Sequence, residues 1–298
     1  MKNYKHVFDA VFKEIEKVVV GQNDVVEQIL VSILCDSNAL LEGYPGLAKT
    51  LAVRTLADVM NLKFSRIQST PDLMPSDITG TYIIEETSGK RNFKFQPGPV
   101  FANIILADEV NRATPKTQSA LLEAMQEKQV TVGTNTFKLD LPFFVLATQN
   151  PIEQEGTYPL PEAQADRFLL KIKVGYPSFE EEKEITDKYA AVLREHRLKT
   201  MLNKNHLLSL QTLTRQVPIA NDIKNKAIKV IMATRTNKDV IHYGASPRAS
   251  IGILLAAKAR ALIKGRNHES NEDINEMAYP VLRHRIILNF EAERKGMT

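Results

Sequence analysis

The chain has 298 residues, of which 43% are hydrophobic and 25% are charged, as in ordinary folded globular proteins. This composition excludes a disordered tail, a collagen-like fibre and a disulfide-stapled miniprotein. Cys35 is the only cysteine, so no intrachain disulfide can form and a reducing, cytoplasmic compartment is expected. No stretch approaches about 18 apolar residues, and the polar N-terminus lacks an apolar signal core, so we expect neither a membrane span nor a secretory leader.

The net charge of +4 hides an asymmetry along the chain. Residues 177–298 carry 21 Lys and Arg against 14 Asp and Glu, whereas residues 1–176 carry 18 against 21. A basic half can face nucleic acid, an acidic partner or bound phosphates, or it can simply consist of solvated helix faces. Charge alone leaves these alternatives open.

The spacing of apolar residues predicts two helices within residues 1–35, interrupted near Gly21. Further along, short apolar runs predict buried strands that alternate with helices. The predicted strands are Ala39–Leu41, Phe64–Ile67, Ile104–Ala107 and Phe143–Ala147, and the predicted helices are Thr50–Met60 and Lys116–Lys128. This alternation predicts an α/β fold, with a largely parallel sheet flanked by helices on both faces.

Two β-rich segments interrupt this alternation, and we interpret both as inserted β-hairpins. They are Thr81–Phe95, with a turn at Ser88-Gly89-Lys90, and Gln129–Leu139. After Gly175-Tyr176-Pro177, helical patterns dominate, at 179–196, 204–215, 220–235, 246–264 and 271–288. The sequence therefore predicts an α/β core over residues 1–176 and a small all-α domain over residues 177–298.

A glycine-rich segment follows the first predicted strand. Residues Gly43–Thr50 match the phosphate-binding pattern G-x-x-x-x-G-K-[ST], except that Ala48 replaces the last glycine. The glycines let backbone N–H groups turn toward an anion, and the helix that follows adds positive charge at its N-terminus. Lys49 can reach the β- and γ-phosphates, and Thr50 offers a hydroxyl to Mg²⁺. The alternative is a chance glycine-rich turn before a helix.

Two adjacent acids end the buried strand Ile104–Ala107. The carboxyl ends of parallel strands are where such sheets bind ligands, and paired acids there call for a cation or hydrogen-bond donors. We expect Asp108 to hold Mg²⁺, and Glu109 to polarise an attacking water as general base. A strand that happens to end in solvated acids is the alternative.

Asn150 follows another predicted apolar strand, Phe143–Ala147, after the polar residues Thr148 and Gln149. Its amide can hydrogen-bond both the γ-phosphate and the attacking water. The local sequence fits equally well with a turn formed by Asn150-Pro151.

Several segments in this order resemble the MoxR family of AAA+ ATPases, which are P-loop nucleoside triphosphatases. The matching segments are Val20-Gly21-Gln22, Gly43–Thr50 with its alanine, Asp108–Ala113, Ala147–Pro151, Ala165–Phe168 and Gly244–Ala249. The resemblance covers roughly residues 10 to 290. It implies that the two hairpins are the inserts typical of this branch of AAA+ proteins and that the C-terminal domain is the helical lid.

The resemblance also implies roles for individual residues. Asp108 and Glu109 correspond to the Walker B acids, Asn150 to the sensor-1 residue, and Val20-Gly21-Gln22 to the segment against adenine. The implied ATP-binding residues are Val20, Gly21, Gln22, Gly43, Tyr44, Pro45, Gly46, Leu47, Ala48, Lys49, Thr50, Leu51, Asp108 and Arg248, with Thr50 and Asp108 at the metal.

The resemblance implies particular roles for two arginines. Arg167 corresponds to the arginine finger that enters a neighbouring subunit's site, where a guanidinium stabilises transition-state charge; the alternative is a surface salt bridge to Asp166 or Glu162. Arg248 lies in the first turn of a helix that Ser246 caps. It corresponds to the sensor-2 arginine, which would contact the γ-phosphate from the lid, and the alternative is an ordinary exposed arginine.

The expected function is Mg²⁺-dependent ATP hydrolysis, catalysed by Lys49, Glu109, Asn150, Arg167 and Arg248. The family further implies a homo-hexamer that remodels or matures a protein client, with a von Willebrand factor A domain partner. The alternatives are an AAA+ nucleic-acid motor and a nucleotide-gated binding module with little turnover. We do not expect a nucleic-acid partner, because glutamates in the first hairpin partly balance its basic residues.

The six histidines are scattered and form no pair at zinc-ligand spacing. We therefore expect His284 and the others to be surface or structural residues.

Overall fold

The computed structural model describes residues 4–87, 90–151, 156–190 and 197–297. The strands are β1 (Ala39–Gly43), β2 (Phe64–Gln68), β3 (Gly80–Thr87), β4 (Lys90–Pro97), β5 (Ile104–Asp108), β6 (Gln129–Val132), β7 (Asn135–Lys138), β8 (Phe144–Gln149), β9 (Leu170–Val174), β10 (Ile241–Tyr243) and β11 (Ile287–Leu288). The helices are α1 (Lys5–Ile15), α2 (Asn23–Leu34), α3 (Lys49–Val59), α4 (Pro75–Thr79), α5 (Pro115–Glu127), α6 (Glu162–Ala165), α7 (Phe179–Tyr189), α8 (Lys204–Gln216), α9 (Asn221–Thr236), α10 (Pro247–Ile263), α11 (Asn271–Leu282) and α12 (Phe290–Arg294).

A five-stranded parallel sheet, in the order β2-β5-β8-β1-β9, forms the core and confirms the predicted α/β fold. Strand β8 lies between β1 and β5, so the carboxyl ends of these three strands are neighbours. Strand β9 was missed in the sequence, because Lys171 and Lys173 break its apolar run. At this edge position the sheet tolerates them, and Lys171 pairs with Glu42 on β1 at 2.5 Å.

The central strands begin with continuous apolar runs because both faces of the sheet are covered. Ile104 and Leu106 belong to a hydrophobic cluster formed with α1, α2 and α3. The alternate residues, Ile105 and Ala107, belong to a second cluster on the other face, formed with α5. The central strands β1, β5 and β8 are thus buried on both faces, and their polar side chains lie toward their carboxyl ends.

Both predicted hairpins are present, as β3–β4 and β6–β7. They pack together through aromatic rings: Phe95 stacks on Phe137 with ring centroids 4.0 Å apart, and Tyr82 accepts a hydrogen bond from Asn135. The predicted turn residues Ser88 and Gly89 lie outside the described part of the chain.

The C-terminal lid is helical, as predicted, with two differences in detail. The helix expected over 271–288 ends at Leu282, and the chain then forms β11, which pairs with β10 in a short antiparallel ribbon. The helix expected over 179–196 is described as far as Tyr189, and its residues 191–196 lie outside the described ranges. Helix α10 packs against α2 of the core. The division at residues 176 and 177 stays a prediction.

None of the described helices has the length and apolar character that crossing a membrane requires.

Candidate active site

The phosphate loop connects β1 to α3 and places the N-terminus of α3 at the carboxyl edge of the sheet. Gly43 ends β1, and a Cβ there would lie 2.8 Å from the Cβ of Val174 on β9, so only glycine fits this close approach. Gly46 and Ala48 both have left-handed backbone conformations, with φ of 84° and 52°. Position 48 therefore favours glycine, and alanine is accommodated there with some strain.

The acids lie at the end of β5 and share one hydroxyl group on the neighbouring strand. Thr148 on β8 donates to Asp108 Oδ1 at 2.6 Å, and its Oγ1 accepts the backbone N–H of Glu109 at 2.9 Å. Glu109 has a left-handed backbone (φ 53°, ψ 50°), which is strained for a residue with a side chain. Thr148 thus holds Glu109 in a direction that an extended strand end would not give.

Strand β2 supplies two further contacts that the sequence analysis did not predict. Arg66 donates to Asp108 Oδ2 at 2.6 and 3.1 Å, and Gln68 donates to Glu109 Oε2 at 3.1 Å. Arg112 also donates to Glu109 Oε2, at 3.2 Å. The sequence signal that could have indicated the contacts from β2 is the polar alternation at the end of this strand. Arg66 and Gln68 lie two residues apart and therefore on one face.

A cavity of about 470 Å³ brings most of the predicted catalytic residues together. Its lining consists of Pro45, Gly46, Leu47, Ala48, Lys49, Thr50, Leu51, Arg66, Asp108, Glu109 and Asn150. Burial lowers the pKa of the Lys49 ammonium group, and the nearby carboxylates of Asp108 and Glu109 partly offset that shift. The lysine, the hydroxyl of Thr50 and the two acids therefore face one ligand-sized space.

A second cavity of about 400 Å³ lies beside the first and shares Pro45–Ala48 and Leu51 with it. Val20, Gly21 and Gln22 line it, together with residues 175–177 and three residues spread along α7 as far as its last residue, Tyr189. Gln22 donates to the Leu47 carbonyl at 2.8 Å, which fixes this segment to the phosphate loop. Val18, Val19 and Ile185 also line this cavity and offer apolar surface of the kind that a flat nucleobase packs against. Tyr44 lies outside both linings and stacks on Tyr176 at 5.1 Å.

The side chains in the first cavity fit a magnesium-bound triphosphate. Thr50 and Asp108 supply hydroxyl and carboxylate oxygens, the ligands that Mg²⁺ prefers. The N-terminus of α3 and Lys49 supply positive charge for phosphate oxygens. Within the described residues no group of three or more His, Cys, Asp or Glu is arranged to hold a metal. A metal held here would thus take most of its remaining ligands from phosphate and water.

Arg167 and Arg248 lie elsewhere, at the amino edge of the sheet. Leu170, the first residue of β9, pairs with Ala39, the first residue of β1, whereas the phosphate loop follows the last residue of β1. Arg167 and Arg248 line a separate cavity of about 180 Å³. The structure therefore does not bring Arg248 to the phosphate cavity of its own chain, contrary to the expectation that it contacts the γ-phosphate from its own lid.

The surroundings of the two arginines test the salt-bridge alternative. Asp166 pairs with Arg248 at 3.3 Å and with Arg285 at 2.7 Å. Arg167 pairs with neither Asp166 nor Glu162 in the described part of the structure, and its buried Nε has no hydrogen-bond partner there. Ser246 caps α10 as predicted and accepts the backbone N–H of Arg248 at 3.2 Å.

His284 lies next to this cluster in a structural setting. Its Nε2 is 3.0 Å from the Phe168 carbonyl oxygen, and burial lowers the pKa of the imidazole to about 3. His284 is therefore neutral at physiological pH.

The sheet order, the lysine-bearing loop and the strand-end acids define a P-loop nucleoside triphosphatase. Two family models match the chain: the ATPase family associated with various cellular activities (AAA) at residues 38–170, and the AAA lid domain at residues 232–298.

Individual relatives place the chain more closely. It is 47% identical over 295 residues to the chaperone MoxR1 of Mycobacterium tuberculosis, covering 96% of this chain and 77% of that protein. It is 44% identical to the protein YeaC of Bacillus subtilis, over 96% and 88% of the two chains. The crystal structure of a proposed ATPase from Cytophaga hutchinsonii superposes with a TM-score of 0.92 at 48% identity, covering 99% and 91% of the two chains. The chain belongs to the MoxR family of AAA+ ATPases.

Proposed function

We propose that the protein is a Mg²⁺-dependent ATPase whose hydrolysis drives remodelling or maturation of partner proteins. The observation that supports it is the shared cavity in which Lys49, Thr50, Asp108, Glu109 and Asn150 converge. Family membership supports the same activity. The adjoining cavity at Val20-Gly21-Gln22 would take the adenine.

Each residue of the cavity has a role in phosphoryl transfer. Lys49 and the backbone N–H groups of the loop bind the β- and γ-phosphates, and Thr50 and Asp108 hold the metal. Mg²⁺, when bound, neutralises charge on the phosphate oxygens. Glu109 accepts a proton from the attacking water, and Asn150 orients that water. The hydrogen bond that the Glu109 N–H donates to Thr148, and those that the Glu109 carboxylate accepts from Gln68 and Arg112, fix the direction of Glu109 for this step.

The remaining charge stabilisation comes from a neighbouring subunit in a homo-hexameric ring. Arg167 and Arg248 lie together at the edge of the sheet opposite their own phosphate cavity. This position supports a role for both arginines in the next subunit's site. A guanidinium there would stabilise the γ-phosphate oxygens in the transition state.

A protein client is the favoured target, and a relative bears the name chaperone. The exposed Ile84 and Phe93 form a cross-strand pair on the β3–β4 hairpin, a surface suited to apolar protein contacts. Lys94 and Arg91 pair with Glu85 and Glu86 at 2.9 and 3.5 Å, which offsets the positive charge that these two residues could offer to nucleic acid. We also propose the von Willebrand factor A domain partner and the cytoplasmic location that the family resemblance implies.

The variant Glu109→Gln tests the catalytic assignment. The amide keeps the shape of Glu109 but cannot accept the proton, so we expect phosphate release to fall by at least about 10²-fold while ATP binding persists. Glu123→Gln, an exposed acid on α5, is the matched control and should behave as wild type. A wild-type chain that binds ATP without turnover under any condition would instead support a nucleotide-gated binding module.

The same variant tests the role in remodelling. Held in ATP, Glu109→Gln should retain its client and partner in a pull-down, and Glu109→Gln combined with Lys49→Ala should release both. Stimulation of the wild-type ATPase by DNA or RNA, with a steep salt dependence, would favour the nucleic-acid motor.

A further inference from the structure

The carboxylate of Asp166 joins the core to the lid at the arginine cluster. It lies directly after α6 and next to Arg167 in the chain. Its Oδ1 accepts a hydrogen bond from Arg285 Nε at 2.7 Å, and its Oδ2 lies 3.3 Å from Arg248 Nη1. Ser246, at the start of α10, donates to both oxygens at 3.1 and 3.0 Å. One core carboxylate therefore contacts three residues of the lid.

Arg285 fixes this carboxylate in place. Its side chain is only 3% exposed. Its Nη1 donates to the carbonyls of Leu169 and Val281 at 2.9 and 2.5 Å, and its Nη2 donates to those of Asp166 and Phe168 at 3.1 and 2.5 Å. Every N–H direction of the guanidinium is used, so the segment from Asp166 to Leu169 has one position relative to the end of α11.

The carboxylate of Asp166 offsets the positive charge of the arginines around it. Arg167, Arg248 and Arg285 all line the same small cavity, and Asp166 is the one acidic residue in that lining, which lies wholly within the described residues. Arg248 also stands in the first turn of α10, where a cation opposes the helix dipole. Its side chain is 56% exposed, so packing alone holds it only weakly. Without Asp166, repulsion and side-chain entropy would both move Arg248 away from Arg167.

We propose that Asp166 is a positioning residue for hydrolysis in the neighbouring subunit, where it presents Arg248 and Arg167 as one preassembled pair. This inference rests on the proposed role of both arginines across the subunit interface. Holding a flexible arginine in its working position before the nucleotide arrives removes the entropy that ordering it would otherwise cost. Asp166 itself does not touch the nucleotide.

The test uses rings that contain two inactive variants. An Asp166→Asn subunit has an intact phosphate cavity, but it lacks the carboxylate that positions the arginines for the neighbouring subunit. In Lys49→Ala, the phosphate cavity is disabled but the Asp166 cluster is intact. Where an Asp166→Asn subunit supplies the phosphate cavity and a Lys49→Ala subunit supplies the arginines, both parts of the site are intact. In randomly mixed rings, about a quarter of the interfaces have this composition.

We expect Asp166→Asn alone to lose at least about 10-fold in kcat while binding a fluorescent ATP analogue in its own cavity as wild type does. Equal mixing with Lys49→Ala should restore about a quarter of the wild-type rate. Glu162→Gln, a charge-removing change in the same short segment, is the matched control and should keep wild-type kcat. If Asp166 only supported the fold of its own chain, mixing would restore nothing.

Two companion experiments separate the possible failures. Arg167→Ala mixed with Lys49→Ala tests the proposed trans role alone, and its failure to recover activity would overturn both that role and this inference. Recovery with Arg167→Ala but not with Asp166→Asn would overturn the inference about Asp166 only. If thermal unfolding shows that Asp166→Asn is not folded, Ser246→Ala carries the test. It removes the hydroxyl contact without touching Arg285, and unchanged kcat in this variant would then overturn the proposal.

Discussion

The two edges of the five-stranded sheet carry opposite halves of the proposed chemistry. At the carboxyl edge, one chain supplies a phosphate loop, two acids and the hydrogen bonds that hold them. At the amino edge, the same chain supplies three guanidiniums around a single carboxylate. In the proposed function, the first edge holds a metal and a nucleotide, whereas at the second edge the buried Nε of Arg167 has no hydrogen-bond partner within the described residues.

In the proposed function, one chain provides a whole nucleotide-binding site but takes part of its catalytic charge from a neighbour. Each acid at the carboxyl edge has a partner within the chain, since Arg66 pairs with Asp108 and Arg112 pairs with Glu109. At the amino edge, Asp166 matches only part of the charge of Arg167, Arg248 and Arg285. An anion from outside the chain would complete this balance, and the γ-phosphate of a neighbour is the anion that the proposed ring provides.

Among variants that distinguish the roles of the two edges, Arg167→Ala should have the largest effect on kcat. Loss of a trans guanidinium removes transition-state stabilisation, so kcat should fall by about 10³-fold or more, or roughly 4 kcal/mol. The affinity for ATP should stay unchanged, because the binding cavity lies at the other edge. Steady-state phosphate release and equilibrium titration with a fluorescent ATP analogue measure the two quantities.

Protein dilution provides the control for that result. Wild-type turnover per subunit should fall on dilution as rings dissociate, whereas Arg167→Ala should show a low rate at every concentration. Full turnover by wild-type protein that remains monomeric would show that the amino edge takes no part in hydrolysis.

The carboxyl edge was largely predictable from the sequence, since a loop motif and a pair of acids each follow an apolar run. Its supporting contacts were not predictable. Thr148, Arg66 and Gln68 reach the acids because β5 lies between β2 and β8, and this strand order is not the order of the chain. The amino edge was less predictable still. The position of Arg248 depends on how α10 of the lid packs against the core, which no local pattern encodes.

Thr148→Val should give the next largest effect, and it should be confined to the carboxyl edge. Valine keeps the shape of threonine but removes the hydroxyl that Asp108 and the Glu109 N–H both use. Loss of such a supporting contact lowers activity by about 10- to 100-fold. Unlike Arg167→Ala, this variant should gain no activity when mixed with Lys49→Ala, because the defect lies in the cavity itself. Recovery on mixing would show that the two edges are not separate.

A smaller effect comes from His284 at the amino edge: acid should lower the free energy of unfolding of the chain. The folded chain holds the pKa of this imidazole at about 3, against an ordinary value of 6.5. The unfolded chain therefore takes up a proton below pH 6.5 while the folded chain does not, so the stability due to neutral His284 is complete above pH 6.5 and falls as the pH decreases toward 3. Between pH 7.5 and 5 this loss amounts to about 2 kcal/mol.

His284→Gln isolates that contribution, because its amide can still donate to the Phe168 carbonyl but does not titrate. Urea unfolding of both proteins at pH 7.5 and pH 5 gives the comparison. The variant should lose about 2 kcal/mol less than wild type over this range. Equal losses would mean that His284 is protonated without cost in the folded chain.

The smallest effect concerns the strain in the phosphate loop. Ala48 adopts a left-handed backbone with φ of 52° at the start of α3, a conformation that glycine reaches without steric cost. Ala48→Gly should therefore relieve about 1 kcal/mol of backbone strain, which a small rise in the free energy of unfolding would report. Gly46 also has a left-handed backbone, with φ of 84°, but glycine already occupies that position. If Ala48→Gly instead destabilises the protein, contacts of the alanine methyl group with the cavity lining must outweigh the strain. Position 48 would then contribute packing to the carboxyl edge as well as backbone shape.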